Sequence, residues 1–232
     1  MIKLEHTEVL GWEHAIRGMR NPLNSWDKAD SEFYMRCADC GADDCPLSEP
    51  SIGKNDLDLM TRLRNAGTDH RKFMRMLTVY VDITAPLYWW KEFDTYKVGT
   101  VANSCSTMHK IHAKKFTLDD FSYEHLLTDD ESLEFMKTES DNYAWSAIDI
   151  LNTTIVTLNE YRYMYLETKD KRYWWQMIQL LPTSYNQKRT VMLNYEVLAN
   201  MYQSRKNHKL DEWHDLCHWI ETLPYSQLIT GN

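Results

Sequence analysis

Three cysteines in the first quarter of the chain have the spacing of metal ligands. Cys37, Cys40 and Cys45 are separated by two and four residues. Thiolates clustered on a loop can close around zinc or an iron–sulfur cluster, but such a site needs a fourth ligand, which the sequence does not identify. The alternative, which we prefer, is a set of reduced cytosolic thiols in a surface loop.

Two histidines near the C-terminus are also spaced for metal binding. His214 and His218 lie four residues apart on a predicted helix, so their imidazoles would share one face. The segment lacks the Glu that follows the first His of a metalloprotease motif. The neighbouring Trp213 and Trp219 favour packing or surface roles, and we expect no metal here.

The segment from Leu181 to His214 carries an Asn and an Arg at positions 194 and 205. It resembles the C-terminal signature of the flavin-dependent thymidylate synthases, the ThyX family. In that signature Leu-Pro opens a helix that bears Asn-x-Arg and ends at a Leu-Arg that reaches the uracil. Asn194 and Arg205 match the pattern, whereas Glu196 takes the place of its Arg.

This resemblance implies that Arg205 is the catalytic residue and that Asn194 lies near the flavin. A guanidinium is planar and always charged, which suits it to stabilise negative charge on a pyrimidine carbonyl. The alternatives are an Arg that caps a helix C-terminus and an Asn that satisfies a neighbouring turn.

An earlier segment, from Leu77 to Lys110, resembles the family's other signature, Arg-Gln-x-x-Arg-His-Arg-x-x-Ser-x-Asn-Glu-x-Ser-x-Arg-Tyr. The matching positions, counted from Ala85-Pro86, are Lys91-Glu92 for Arg-Gln, Thr95-Tyr96-Lys97 for Arg-His-Arg, Thr100 for the first Ser and, after one inserted residue, Asn103 and Ser106. The resemblance implies that Lys91, Tyr96 and Lys97 bind the cofactor and that Ser106 binds the substrate. Tyr96 could stack on the flavin or, as an alternative, belong to the core.

Two further stretches complete the candidate site. Gln187, Lys188 and Arg189 could place charge near a substrate phosphate, although such residues on a helix are often only solvated. The stretch from Ala66 to Arg75 resembles the family's Gly-His-x-x-x-Phe-x-His, with Arg75 in place of the final His.

The elements that position these residues follow from hydrophobic periodicity. Alternation predicts strands at the N-terminus and from Leu77 to Thr84. The predicted helices begin at Trp12, near Asn55, after Pro86, and span Asp141 to about Glu167, Lys171 to Leu181, Asn186 to about Ser204, and Leu210 to about Thr222. We therefore expect an α+β fold, with a small mixed or antiparallel sheet flanked by helices and a helix-rich C-terminal half, as the resemblance also implies.

Composition limits the classes of protein that remain. The 232 residues, 43% of them hydrophobic, predict one globular domain, residues 1–232, with a Cys-containing insertion at about 37–53. A net charge of −8 argues against an extended nucleic-acid surface. We expect neither a membrane span nor a signal peptide, and a cytoplasmic location.

These observations leave two hypotheses of different classes. In the first, the protein is a divergent flavin-dependent enzyme that modifies a uracil nucleotide. The resemblance then implies FAD as cofactor, NADPH and methylenetetrahydrofolate as co-substrates, and a homotetramer. In the second, the same fold is a non-catalytic nucleotide-binding or scaffold protein that has lost flavin chemistry.

Overall fold

The sheet of this protein has four strands. The computed structural model describes residues 1–33, 50–128 and 145–231. Within them the strands are β1 (Lys3–Leu10), β2 (Thr78–Pro86), β3 (Val101–Ser104) and β4 (Asn186–Asn194). They form one antiparallel sheet in the order β1-β2-β4-β3, so β2 and β4 are its central strands.

Helices account for most of the remaining described residues. They are α1 (Trp12–Arg20), α2 (Lys54–Asn65), α3 (Leu87–Phe93), α4 (Ala147–Thr168), α5 (Lys171–Leu180), α6 (Tyr195–Arg205), α7 (Asp211–Glu221) and α8 (Gln227–Thr230). A 3₁₀ turn spans Arg71–Arg75. The predicted α+β class, with its helix-rich C-terminal half, is confirmed.

Strand β2 forms where the period-two pattern predicted it. Val79, Val81 and Ile83 are fully buried, whereas the residues between them are partly or largely exposed. Alternate side chains of a strand point to opposite faces, so one face of β2 contributes to the core. Pro86 ends the strand and takes the N-cap position of α3.

The helix predicted from Asn186 to about Ser204 is wrong in its first half. Asn186–Asn194 is a strand, and helix begins only at Tyr195. Val191 and Leu193 are buried two residues apart, which is a strand period. The position of β4 between β2 and β3 supplies its backbone groups with partners from both neighbours, and this tertiary pairing outweighs the weak local preference for helix.

Contacts divide the chain into two compact units. Unit 1 comprises Met1–Lys3, Ile83–Thr95 and Asn103–Arg189, and unit 2 comprises Leu4–Asp82, Tyr96–Ala102 and Thr190–Asn232. Whether they are one domain stays a prediction. The predicted insertion at 37–53 lies mostly outside the described residues, and so do all three of its cysteines.

Each unit has its own apolar core. In unit 1, α4 packs against α5 around a buried cluster made of Ile111, Phe116, Phe121, Leu151, Ile155, Leu158 and Met177. In unit 2, α6 is buried along most of its length and packs against α7, α8 and the 3₁₀ turn. The burial of α6 fixes the positions of its N-cap residue, Asn194, and of its last residue, Arg205. Among the described helices, none combines the length and the hydrophobicity needed to cross a membrane.

Candidate functional site

Arg205, the predicted catalytic residue, lies at the C-terminal end of α6 within unit 2. Its Nε donates a hydrogen bond to the Tyr96 hydroxyl at 3.0 Å. Its Cζ lies 5.6 Å from the centre of the Tyr96 ring and 4.5 Å from that of Trp213. Two residues predicted from separate signatures are therefore in direct contact.

Trp213 is the member of this group that the sequence did not identify as functional. It lies in the first turn of α7, is fully buried, and meets the Tyr96 ring edge-on at 6.1 Å. The only signal in the sequence is an aromatic residue near the start of a helix that follows the Arg205 turn. We refer to Tyr96, Arg205 and Trp213 as the guanidinium clamp.

Asn194 has a structural role that its sequence position did not reveal. It is the N-cap of α6, and its Oδ1 accepts a hydrogen bond from the Val197 amide at 3.0 Å. A Cβ added at Gly99 would lie 3.0 Å from Asn194 Nδ2, so the loop that bears Tyr96 also approaches this end of the helix. The loop thus contacts both ends of α6.

The two predicted lysines of the cofactor site are exposed. Lys91 lies on α3 in unit 1, and Lys97 lies on the loop of unit 2. In the same loop, the Thr100 hydroxyl is buried without a hydrogen-bond partner among the described residues. Thr100 matches the first Ser of the family's signature. A buried hydroxyl lacking a partner is uncommon, which singles out this loop position.

The residues predicted to bind phosphate lie on β4 rather than on a helix, and they are engaged within unit 1. Gln187 is buried and donates from Nε2 to the Cys105 carbonyl at 2.7 Å. Arg189 pairs with Asp94 at 2.8 Å and stacks over the Trp90 ring at 4.1 Å. These contacts tie β4 to α3 and to the segment after β3, and the Arg189 charge is balanced by Asp94.

Two other predicted substrate residues also have partners in unit 1. The Ser106 hydroxyl accepts hydrogen bonds from the backbone amides of Met108 and His109, at 3.1 and 2.9 Å, and so closes a turn. The Lys188 carbonyl accepts from the Cys105 amide at 2.9 Å as part of the sheet. Both residues belong to unit 1, whereas the guanidinium clamp belongs to unit 2.

The two departures from the family signatures meet each other in unit 2. Glu196, in place of an Arg, accepts hydrogen bonds from Arg75, which stands in place of a His, and from Arg71. Burial alone would raise the pKa of Glu196, but the hydrogen bond and charge of Arg75, together with those of Arg71, hold it below its usual value. The carboxylate is therefore charged at neutral pH.

A cavity in unit 2 lies apart from these residues. Its volume is about 1430 Å³, and it is lined by parts of α1, α2 and the segment from Asp69 to Met76. Phe73, which together with Gly67 matches the family's Gly-His-x-x-x-Phe-x-His pattern, contributes to its wall. Among the described residues, none of those predicted for the site lines it. A smaller cavity between α6 and α7 includes His214 and His218.

Metal binding gains no support from the described part of the chain. Within residues 1–33, 50–128 and 145–231, no group of three or more His, Cys, Asp or Glu is arranged to hold a metal ion. Cys37, Cys40 and Cys45 lie outside those ranges, so the zinc hypothesis for them remains a prediction.

The comparison with solved structures identifies the fold. It is similar to the ThyX fold. A crystal structure of thymidylate synthase X from Helicobacter pylori with FAD and dUMP matches 100% of this chain and 98% of its own, with a TM-score of 0.65 and 16% sequence identity. A second structure of the same enzyme, also complexed with FAD and dUMP, covers 99% of this chain and 98% of its own, with a TM-score of 0.64 and 18% identity.

These similarities confirm the predicted ThyX-like fold. No family model matches the sequence, and no curated protein matches it either. The evidence for similarity is therefore structural, and identity this low shows the fold alone.

Proposed function

We propose that this protein binds a uracil nucleotide and modifies its pyrimidine ring as a flavin-dependent enzyme of the thymidylate synthase type. The observation that carries the proposal is the contact between Arg205 and Tyr96. The resemblance assigns these residues to the substrate and the flavin, and they meet on a fold similar to that of an enzyme complexed with FAD and dUMP.

Arg205 is the group that would act on the substrate. Modification of carbon 5 places negative charge on a ring carbonyl oxygen, and a guanidinium that is already in position stabilises this charge without reorganisation. The Tyr96 hydroxyl accepts from Nε, and Cζ lies 4.5 Å from the centre of the Trp213 ring, so both contacts hold the guanidinium in place. A Lys at this position would lack the planar edge that two acceptors of one ring require.

The loop after α3 would hold the cofactor. Lys97 and Lys91 are exposed point charges for a diphosphate, and the unpartnered Thr100 hydroxyl is a donor for a phosphate or ring oxygen. When bound, FAD would supply the redox chemistry, with NADPH as reductant and methylenetetrahydrofolate as one-carbon donor. The proposal includes a homotetramer, which the resemblance implies, and a cytoplasmic location.

A specific observation favours the second candidate, a nucleotide-binding protein without flavin chemistry. Of the predicted cofactor residues, Asn194 caps a helix and Tyr96 is engaged by Arg205. Glu196 neutralises charge from Arg75 and Arg71. These contacts within the chain engage residues that the resemblance assigns to the cofactor, which favours a protein without flavin chemistry.

Ligand binding to the full-length protein separates the two candidates. FAD uptake would be followed by its absorption band, and dUMP affinity by calorimetry, for wild type, Arg205→Ala and Arg205→Lys. The control is Arg172→Ala, because Arg172 is 83% exposed and pairs only locally with Asp170. We expect FAD and dUMP to bind the wild type and dUMP affinity to fall about tenfold in both Arg205 variants but not in the control.

The outcomes are distinct. Binding of dUMP without FAD would favour the nucleotide-binding candidate. Absence of dUMP binding, or equal affinity in wild type and Arg205→Ala, would contradict both. If FAD binds, deuterium exchange at carbon 5 of dUMP would test whether Arg205 is catalytic. An unchanged exchange rate in Arg205→Ala would exclude that role.

A further inference from the structure

Two stretches of unit 1 contain no acidic residue. Residues 106–118 include three lysines, and residues 171–189 include two lysines and two arginines. The chain as a whole has a net charge of −8, so these stretches are a local reversal of its charge. Because salt screens charges that lie more than about 8 Å away, a local group of cations can attract an anionic partner even in an acidic protein.

The first of these stretches is irregular, but side chains of α4 and α5 hold its backbone in place. Residues 106–117 lie between β3 and the 3₁₀ turn that begins at Leu118. Three of their carbonyls accept side-chain hydrogen bonds: Met108 from Trp174 at 3.0 Å, His112 from Arg162 at 2.9 Å and Phe116 from Asn159 at 2.9 Å. Arg162 and Asn159 are three residues apart on α4 and therefore share one face of the helix, so the stretch runs along that face.

Exposed lysines lie between these anchored positions. Lys110 lies between the first and second anchored carbonyls, and Lys115 lies between the second and third. Lys114, next to Lys115, pairs with Asp120. Among the described residues, Lys110 and Lys115 have no ion-pair partner. Since the backbone is anchored on both sides of each lysine, these two charges are held near α4 without being neutralised.

The second stretch begins α5 and places two tryptophans beside another cation. The Trp174 and Trp175 rings lie edge to face, with their centres 4.9 Å apart. Lys171 Nζ lies 5.8 Å from the centre of the first ring and 5.6 Å from that of the second. Trp175 is 42% exposed, so part of its indole is open to solvent. Because Trp174 also binds the Met108 carbonyl, the aromatic pair adjoins the anchored stretch.

We refer to Lys110, Lys115, Lys171, Trp174 and Trp175 as the basic–aromatic face. Proteins that bind single-stranded nucleic acid combine cations that follow the phosphodiester backbone with aromatic rings on which the bases stack. The lysines supply the first of these features, and the exposed indole of Trp175 supplies the second. An acidic peptide would be attracted by the same lysines, but it has no planar base for the indole.

We propose that the basic–aromatic face binds single-stranded nucleic acid. The phosphates lie along Lys110, Lys115 and Lys171, and a base stacks on Trp175. Three cations fit a short segment of single strand rather than the extended surface that a net charge of −8 argues against. The face belongs to unit 1, and the inference does not depend on the proposed function.

The test measures binding of a fluorescein-labelled oligouridylate of about 12 nucleotides to the full chain. Fluorescence anisotropy gives the affinity at several salt concentrations. One variant, Trp175→Ala, removes the exposed ring. A second variant, Lys110→Gln with Lys115→Gln, removes two charges and keeps side chains of similar length.

Matched control variants change the same residue types in unit 2. Trp26→Ala is the control for the ring, because Trp26 is 50% exposed. Lys54→Gln with Lys72→Gln is the control for the charges, because both lysines are exposed. The control variants should bind the oligonucleotide like the wild type.

The two variants of the face should differ in their response to salt. We expect Trp175→Ala to weaken binding about tenfold at every salt concentration, because stacking releases no counterions. The double lysine variant should also weaken binding about tenfold at low salt. Its plot of log affinity against log salt concentration should be less steep by about 1.4, since each phosphate contact on a single strand contributes about 0.7 to the slope.

Several results would overturn the inference. It fails if the wild type does not bind the oligonucleotide, or if the control variants lose as much affinity as the variants of the face. Equal affinity of wild type and Trp175→Ala would show that no base stacks on the indole. Phosphatidylserine vesicles and polyglutamate serve as competing anions. If either binds the wild type more tightly than the oligonucleotide does, the face is assigned to a membrane or to an acidic protein instead.

Discussion

Arg75 and Glu196 form an ion pair although they are 121 positions apart in the chain. Each is a departure from the ThyX signatures: an Arg in place of a His, and a Glu in place of an Arg. The Glu196 side chain is 8% exposed, and its carboxylate also forms an ion pair with Arg71. The charges of Arg75 and Glu196 therefore balance each other, since a buried carboxylate needs a cation beside it.

Removing the Glu196 charge should destabilise the protein. We expect Glu196→Gln to lower the free energy of unfolding by about 1–2 kcal/mol, because the Arg donors lose a charged acceptor. Arg75→Gln should have a smaller effect, since Arg75 is 53% exposed. Urea denaturation of both single variants and the double variant measures the coupling, and strictly additive effects would show that the pair is not coupled.

Introducing the residues of the ThyX signatures at these two positions gives a sharper version of this test. Glu196→Arg alone would place three guanidinium groups together and should destabilise more than Glu196→Gln. Adding Arg75→His relieves part of that repulsion, so Glu196→Arg with Arg75→His should be more stable than Glu196→Arg. The midpoint of thermal unfolding gives the order of stability of these variants. A double variant less stable than Glu196→Arg would show that the residues at positions 75 and 196 do not balance each other's charge.

The Arg20–Asp56 pair predicts a dependence of stability on pH. Asp56 is fully buried, and its oxygens accept from Arg20, from the Ser31 hydroxyl and from the Asp30 and Ser31 amides. Burial raises the pKa of Asp56, but the Ser31 and Asp30 hydrogen bonds and the hydrogen bond and charge of Arg20 outweigh it and hold the pKa below its usual value.

A depressed carboxyl pKa contributes stability above the unfolded pKa, and this stability is lost as pH falls through the folded pKa. Asp56→Asn should cost about 3–5 kcal/mol at pH 7, because Arg20 would remain buried without its partner. The difference from wild type should shrink below about pH 4. The control, Asp58→Asn on the exposed side of α2, should stay within about 0.5 kcal/mol. If the difference in stability between wild type and Asp56→Asn does not change with pH, the lowered pKa of Asp56 is contradicted.

Position 99 requires a glycine both because of its backbone conformation and because of the atoms that surround it. Its φ is 80°, and an added Cβ would lie 3.0 Å from Asn194 Nδ2 and 3.2 Å from Val197 Cγ2. Gly67 has a φ of 104° but no atom within 4 Å of such a Cβ. Gly67→Ala should therefore cost only the backbone strain of about 1–2 kcal/mol, and Gly99→Ala should cost more. Chemical denaturation of both variants tests this, and equal losses would mean that the loop does not pack on α6.

The cap at Asn194 can be tested separately from any contact with a cofactor. Asn194→Ala should lower stability by about 1 kcal/mol, whereas Asn194→Asp keeps an acceptor for the Val197 amide and should be nearly neutral. Thermal unfolding compares the three proteins. An Asn194→Ala variant as stable as the wild type would show that the cap contributes nothing.

The sequence by itself determined the elements that follow from local periodicity. The alternation from Leu77 to Ile83 indicated β2 and its buried face, and the pattern from Leu210 to Thr222 indicated α7. These two predictions succeed because burial of one face imposes on the sequence a period of two residues in a strand and of 3.6 residues in a helix. The match of Arg205 to a family signature also needed no coordinates.

Only the tertiary structure decided the rest. Asn186–Asn194 became a strand because β2 and β3 lie on either side of it, a fact that no local window contains. The pairing of Arg75 with Glu196, and the placement of Trp213 beneath Arg205, likewise depend on side chains brought together by packing. Local propensities are worth fractions of a kcal/mol, whereas pairing and burial are worth several, so the longer-range interactions prevail.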